Sequence, residues 1–360
     1  MRVLFRADAS VDIGTGHLMR CLTLADQLRS EGAQVAFVCR DLSGPMFDLL
    51  QARSPLIFRL PAPEAGGVSQ QLDAEQTIKA AGQLFPNGID WLVVDHYRLD
   101  AEWERLLRAN TRKLMVIDDL ADRPHDCDLL LDQNYYRDMK LRYQGLLSEG
   151  CITLLGPKYV LLRPEFAAAR QALRVRDGTV GRILLFFGGS DFTNQTHKAL
   201  EAIRRMSLPG IFVDVVVGAS NPYRDEIRAL CSETPCAECY CQVSNMAELI
   251  VAADIAVGAG GSSMWERCYL GLPTITVISA DNQQCTTEDV SNFGAIDCIG
   301  RSDSLDVHDY VYAIADLIAN PERVKKLSQA ALAVVPEQTV ASVKCAMREM
   351  LFLLDSDGVI

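Results

Sequence analysis

Residues 2–20 read RVLFRADASVDIGTGHLMR, and this stretch decides the fold. Val3 to Phe5 is a short apolar run of strand type, followed by a glycine-containing turn. Leu18, Cys21, Leu22, Ala25 and Leu28 then recur at helical spacing as far as Gly32. The spacing predicts a strand over 2–6 and a helix over 17–30. Gly14 and Gly16 let the backbone come close to a ligand. The helix start adds unpaired N–H groups and a positive dipole end. His17 stands in the first turn, a titratable ring at the mouth of a strand–turn–helix. The stretch is not a dinucleotide fingerprint, because Leu18 and Met19 stand where the third glycine is needed. No Gly-Lys-Ser/Thr follows, so it is not a Walker loop either. Taken alone, His17 reads first as a capping or hydrogen-bonded structural histidine.

The alternation continues outward. Strands are expected at 34–39, 56–60, 90–95, 113–118, 128–132 and 152–155, with helices at 44–53, 73–84 and 100–109. Continuous apolar runs such as Trp91–Val94 and Leu114–Ile117 suit a parallel sheet covered on both faces. The segment LGPKYVLLRPE, 155–165, breaks the rhythm and reads as a connection. The pattern restarts with a strand from Ile183 to Phe187, a turn at Gly188-Gly189-Ser190-Asp191 and a helix over 194–205. Strands at 211–217, 239–243, 254–258 and 273–278 follow, with helices near 223–231, 245–252, 262–270 and 283–292. The last segments, near 307–318, 321–333 and 337–354, are helical. The expected fold is α/β, with two doubly wound Rossmann-like domains facing a central cleft. Their bounds are 1–163 and 164–336, with 337–360 a C-terminal helix packing back across them. Ligands of such sheets bind beyond the carboxyl ends of the strands.

The chain has 360 residues, 49% hydrophobic and 23% charged, with a formal charge of −12. That balance argues against a nucleic-acid-binding surface. No apolar run reaches membrane-spanning length and the start lacks a signal-peptide pattern, so a cytoplasmic protein is expected. Twelve cysteines are spread along the chain. Cys21, Cys127, Cys268 and Cys345 lie in apolar patterns and read as buried free thiols. Cys231, Cys236, Cys239 and Cys241 are close in sequence but lack the paired knuckles of a zinc site. Strand alternation would place Cys239 and Cys241 on one face, with Cys236 in the loop before them.

Polar groups follow several of the apolar strands. Asp8 follows the first, Asp95-His96-Tyr97 ends the Trp91 strand, Asp118-Asp119 ends the Leu114 strand, and Asp132-Gln133-Asn134 ends Leu129–Leu131. Each aspartate alone reads as a cap or turn residue. Together they form a polar wall suited to sugar hydroxyls and amides. In the second half the 254–258 strand runs into Ala259-Gly260-Gly261-Ser262-Ser263, and a helix starts near Met264-Trp265-Glu266. The glycines free the backbone, Ser262 or Ser263 can cap, and the helix start is a ready diphosphate site. Glu266 is either a dipole-favoured first-turn acid or an acceptor for ribose hydroxyls. Gly189 and Ser190, with Asn194, form a second loop at the same edge.

As a set, GTGHLMR (14–20), VDHY (94–97), LRPEF (162–166), FFGGSD (186–191) and GGSSMWE (260–266) resemble one family. It is the UDP-2,4-diacetamido-2,4,6-trideoxy-β-L-altropyranose hydrolases of pseudaminic acid biosynthesis. These belong to the glycosyltransferase-B-like superfamily, near the MurG-type transferases. The resemblance runs from residue 1 to about 300, and spore-coat polysaccharide proteins share the GTGH turn. It implies hydrolysis of a UDP-linked diacetamido sugar at the anomeric carbon, with inversion and release of UDP. Water is the second reactant. No cofactor, metal, nucleic acid, membrane or obligatory protein partner is implied. His17 would be the base and Tyr97 would share the catalytic site. Asp8, Gly14, Gly16, Arg20, Asp95, Gly189, Ser190, Asn194, Gly260, Gly261, Ser262, Ser263 and Glu266 would bind substrate. Phe192 follows GGSD here, with Asn194 two residues further on. A histidine suits proton abstraction near neutral pH, and the helix dipole is expected to keep its ring neutral. Because the leaving group is already a diphosphate, the reaction needs preorganised amides more than a strong acid. A glycosyltransferase of the same fold would share the donor site but need an acceptor groove. A sugar-nucleotide-binding protein would need no base, and a nicotinamide enzyme would need the missing glycine.

Overall fold

The computed structural model describes residues 1–8, 16–40, 45–54, 56–62, 67–337 and 340–356. Contacts divide the chain into two units. The first is Met1–Asn134, Asp138–Leu161 and Gln338–Ile360; the second is Tyr135–Arg137 and Leu162–Glu337.

The first unit carries strands β1 (Arg2–Ala7), β2 (Gln34–Arg40), β3 (Ile57–Leu60), β4 (Ile89–Asp95), β5 (Thr111–Ile117), β6 (Leu129–Asp132) and β7 (Ile152–Leu155). Its helices are α1 (Gly16–Ser30), α2 (Pro45–Arg53), α3 (Gln70–Leu84) and α4 (Ala101–Leu107). The strands form one parallel sheet in the order β3-β2-β1-β4-β5-β6-β7. The apolar runs are continuous because each strand feeds two cores. Val3, Phe5 and Ala7 pack with Leu18, Leu22 and Leu28 of α1 on one face. Leu4 packs with Ala74 and Ala80 of α3 and Trp103 of α4 on the other.

The second unit carries α5 (Pro164–Gln171), α6 (Gln195–Met206), α7 (Arg224–Glu233), α8 (Met246–Ala252), α9 (Ser262–Tyr269), α10 (Gln284–Phe293), α11 (Val307–Ala319) and α12 (Pro321–Val334). Its strands are β8 (Arg182–Phe186), β9 (Phe212–Val217), β10 (Ala237–Cys241), β11 (Ile255–Ala259), β12 (Thr274–Ile278) and β13 (Asp297–Arg301). They form a second parallel sheet in the order β10-β9-β8-β11-β12-β13. The final helix, α13 (Val340–Ser356), places Val343, Met347 and Met350 in the first unit's core. There the Trp91 indole N–H donates to the Met347 carbonyl at 3.2 Å.

Each sheet reverses its strand order once, at β1/β4 in the first and at β8/β11 in the second. Ligands of open α/β sheets bind outside the carboxyl ends of the strands at such points. Both points fall on residues the sequence marks: Asp8 and Asp95 in one unit, Gly188 and Gly260 in the other.

Some elements differ from the sequence reading. β13 was not expected. It is a half-buried edge strand of five residues containing Gly300, and it pairs with β12 through a register shift. Such a segment has neither an apolar run nor a clear alternation. The 155–165 connection holds a 3₁₀ turn at Pro157–Tyr159 and leads into α5. β10 lies at Ala237–Cys241, two residues earlier than expected, so Cys239 is mid-strand and Cys241 is the exposed last residue. Cys21, Cys127 and Cys268 are buried, but Cys345 is exposed, because α13 turns Val343, Met347 and Met350 inward instead. Among the described residues no helix is long and apolar enough to cross a membrane.

Candidate functional site

α1 begins at Gly16, so His17 occupies its first turn at the end of β1, 5% exposed. Gly16 is partly exposed beside it; Gly14 lies outside the described residues. In the parallel pairing of β1 with β4, Ala7 stands opposite Asp95. That register brings Asp95, 78 residues away in sequence, to within 2.5 Å of His17 Nδ1. Arg20, one turn further along α1, grips the same carboxylate. Its Nε meets Oδ2 at 2.6 Å and its second terminal nitrogen meets Oδ1 at 2.7 Å. The Cys21 thiol adds a contact to Oδ2 at 3.4 Å. Burial opposes a charge on Asp95, but Arg20 and then His17 outweigh it and hold the carboxyl well below the usual range. An ionised acceptor 2.5 Å from Nδ1 takes the Nδ1 hydrogen, which leaves Nε2 with the lone pair. Tyr97 packs edge-on against the imidazole, ring centres 4.3 Å apart.

The other histidine of this edge has no such freedom. His96 Nδ1 accepts the Arg98 backbone N–H at 3.0 Å, so Nε2 carries the hydrogen and donates to Asp8 Oδ2 at 3.0 Å. Asp8 also accepts from Arg6 and from the Arg40 backbone N–H. Burial resists its charge, yet Arg6 and His96 keep it far below the ordinary carboxylate range. Asp73 of α3 closes this buried network, accepting from Arg6, Arg40 and the Trp103 indole. Asp8, Arg20 and Asp95, expected on a substrate, thus have partners inside the unit.

In the second unit, β11 runs into Gly260-Gly261 and α9. Gly260 donates its N–H to the Val277 carbonyl at 3.0 Å. A Cβ there would stand 2.2 Å from the Thr287 hydroxyl, and one on Gly261 would stand 3.2 Å from the Gln283 amide. Gly261 is the N-cap, and no side chain caps the helix. Neither serine therefore caps, contrary to the sequence reading: both lie inside the first turn, and Ser263 Oγ accepts from Arg267 at 3.1 Å. The first N–H groups of a helix have no acceptor of their own and suit an anion. Arg267, 1% exposed, lies under the loop and donates to the Ala259 carbonyl at 2.7 Å. Burial pushes its guanidinium down to about 10, which leaves it cationic at neutral pH. Glu266 is met by Arg163 at 3.3 Å, and burial raises its carboxyl against that neighbour's pull.

Gly189 and Ser190 follow β8. A Cβ on Gly218, at the end of β9, would overlap the Gly189 carbonyl. Asp191, three residues before the N-cap position of α6, accepts from Gln195 N, Thr196 N and Thr196 Oγ1. Asn194 takes a left-handed backbone, φ 53°, at the N-cap position, and its Oδ1 is buried without a partner. Sequence reasoning missed Arg163, Gln283 and Thr287. Arg163 was within reach: it stands in LRPEF, which read as a connection and as part of the resemblance, with no role given to the arginine. Gln283 and Thr287 carry no local signal, since only the β11–β12 pairing brings α10 beside the glycine loop.

Residues 183–342 match the glycosyltransferase family 28 C-terminal domain. A UDP-2,4-diacetamido-2,4,6-trideoxy-β-L-altropyranose hydrolase of Campylobacter jejuni is 25% identical over 79% of this chain and 94% of its own. The spore coat polysaccharide biosynthesis protein SpsG of Bacillus subtilis is 21% identical over 89% of this chain and 90% of its own. An uncharacterized protein of Methanocaldococcus jannaschii is 25% identical, and the match spans 57% of its length. Among solved structures, MurG of Acinetobacter baumannii aligns over 99% of both chains with a TM-score of 0.67 at 13% identity. The fold is the glycosyltransferase-B type, two parallel Rossmann-like sheets.

Proposed function

We propose that the protein is a nucleotide-sugar hydrolase that cleaves the anomeric C–O bond of a UDP-linked 2,4-diacetamido-2,4,6-trideoxy sugar with inversion. The observation that carries this reading is the His17–Asp95 pair, in which Asp95 takes the Nδ1 hydrogen and leaves Nε2 to accept one. In this reading Nε2 removes a proton from water as its oxygen bonds to the anomeric carbon, and the bond electrons leave with the UDP oxygen. Asp95 steadies the imidazolium that forms, and Arg20 holds Asp95. Tyr97 lies against the ring and limits its rotation. Asp8 orders the β1 end rather than touching sugar. The N–H groups at Gly261–Ser263 hold the diphosphate, with the Arg267 charge beneath them. Glu266, paired with Arg163, accepts from the ribose. Gly189, Ser190 and Asn194 face the same ligand edge. The Campylobacter jejuni relative supports the choice of sugar, and the GTGHLMR motif of residues 14–20 supports the base.

The match of residues 183–342 favours a second reading, a glycosyltransferase that passes the sugar to an acceptor. Incubation with a panel of UDP- and CMP-linked diacetamido sugars separates the two. Hydrolysis predicts nucleotide release at full rate with water alone. Release that needs an added acceptor supports the transferase instead.

A further inference from the structure

The end of β5 and β6 holds a second buried group of ionisable residues that the proposed reaction does not use. Tyr143 Oη lies 3.1 Å from Asp118 Oδ2 and 3.1 Å from Asp132 Oδ2. Asp118 is 1% exposed, Asp132 2% and Tyr143 4%. A phenol has one hydrogen and can serve only one of these oxygens. With both acids ionised, the other contact would press lone pair against lone pair with no water to relieve it.

The surroundings choose which acid is charged. Asp118 accepts the Ala121 N–H at 2.8 Å, and the Arg123 guanidinium lies 2.9 Å from its other oxygen. His125 Nε2 is 4.0 Å away, with Nδ1 engaged by Glu104 of α4. Asp132 accepts the Asn134 N–H at 3.0 Å, and Arg142 stays 3.5 Å off. Asp118 is therefore the anion that takes the phenolic hydrogen, and Asp132 holds its own proton and donates it to Tyr143. Burial first, then Asp119 and Asp118, push the Asp132 carboxyl up to about 7 against Asn134 and Arg142.

This group is joined to His17. Asp119 Oδ2 accepts from Arg20 at 3.0 Å, on the guanidinium that holds Asp95 against the imidazole. Arg142, beside Asp132, donates to the Asp119 carbonyl at 3.0 Å. We propose that the proton shared among Asp132, Tyr143 and Asp118 positions His17, and that Asp132 is a positioning residue acting through Asp119, Arg20 and Asp95. The proposal rests on the reading of His17 as the base. With Asp132 neutral, the chain of donors is complete and Arg142 stays on Asp119. Loss of the Asp132 proton sets three carboxylates against one another and draws Arg142 away. The Asp119–Arg20–Asp95 clamp then loosens, and the orientation of the His17 ring with it.

The test uses Asp132→Asn, whose amide can donate to Tyr143 at every pH. Ring ¹⁵N shifts of His17 are followed without substrate from pH 5.5 to 9, together with the Asp132 carboxyl ¹³C shift in wild type. The expected result is a step near pH 7 in the His17 shifts that coincides with Asp132 titration and is absent from Asp132→Asn. In turnover, kcat/KM for UDP release falls as pH rises through 7 in wild type, by up to ~tenfold per unit, and the variant keeps its activity there. Titration of Asp132 in the ordinary range near ~4 overturns the proposal, and needs no variant. An alkaline fall in kcat/KM that survives in Asp132→Asn overturns it too. Absence of any UDP release contradicts the proposed function instead, and the His17 shifts still decide this inference.

Discussion

At the scale of single residues, the proposed chemistry rests on one ring nitrogen. Of the five histidines in the chain, His96 and His125 are bound into internal networks. His17 instead gives its Nδ1 hydrogen to Asp95. Asn at position 17 can still donate to Asp95, so the Arg20–Asp95 pair survives the substitution. His17→Asn is therefore expected to fold and to bind UDP within about twofold of wild type by calorimetry, because the loop proposed to hold the diphosphate belongs to the other unit. Its kcat should fall by roughly 10²–10⁴, the usual worth of a general base. Near-wild-type turnover would remove His17 from the role. The histidine itself is legible in sequence because a glycine turn and a helix start are local features. The work of Asp95 is not. An aspartate at a strand end looks the same whether it caps, binds ligand or orients a base, and only the β1–β4 register shows which neighbour it has.

At the scale of elements, the β11–α9 turn carries a close-packing demand. A Cβ on Gly260 would meet the Thr287 hydroxyl at 2.2 Å, and Thr287 is wholly buried on α10. Gly260→Ala must push α10 away or displace the start of α9, and overpacking of this kind costs about 1–3 kcal/mol. The expected outcome is a lower unfolding midpoint together with weaker UDP binding. Calorimetric titration of UDP into the folded variant checks it: unchanged affinity would take the loop out of diphosphate binding. Gly294→Ala, at a helix end with nothing within 4 Å of the added carbon but φ 87°, controls for general loss of stability. Glycine identity at 260 was legible; its physical reason was not, because the residue it must avoid lies on another helix. The strands show the same limit. The central strands of the first sheet, β1, β2, β4, β5 and β6, announce themselves by apolar runs, since both faces are covered. β13 does not, being an edge strand whose five residues are all only half-buried.

At the scale of the whole molecule, the two parallel sheets repeat one scheme, each reversing its strand order once. That scheme follows from sequence because it needs only strand–helix alternation and the direction of parallel crossovers. The attachment of α13 does not follow. Its apolar side chains would suit any core, and Val343, Met347 and Met350 join the first. Nor does the buried carboxylate wiring, in which Asp95 is held well below the usual carboxylate range while burial pushes Asp132 up to about 7. The central claim is that this protein directs water to the anomeric carbon of a UDP-sugar. The most direct measurement is turnover of the UDP-linked diacetamido sugar in ¹⁸O-enriched water without any acceptor. ³¹P NMR then reads the released UDP, and early ¹H spectra read the anomer. The account predicts UDP free of ¹⁸O and a first-formed sugar of inverted configuration. An ¹⁸O shift on the β-phosphate, a retained anomer, or no UDP until an acceptor is added would contradict it.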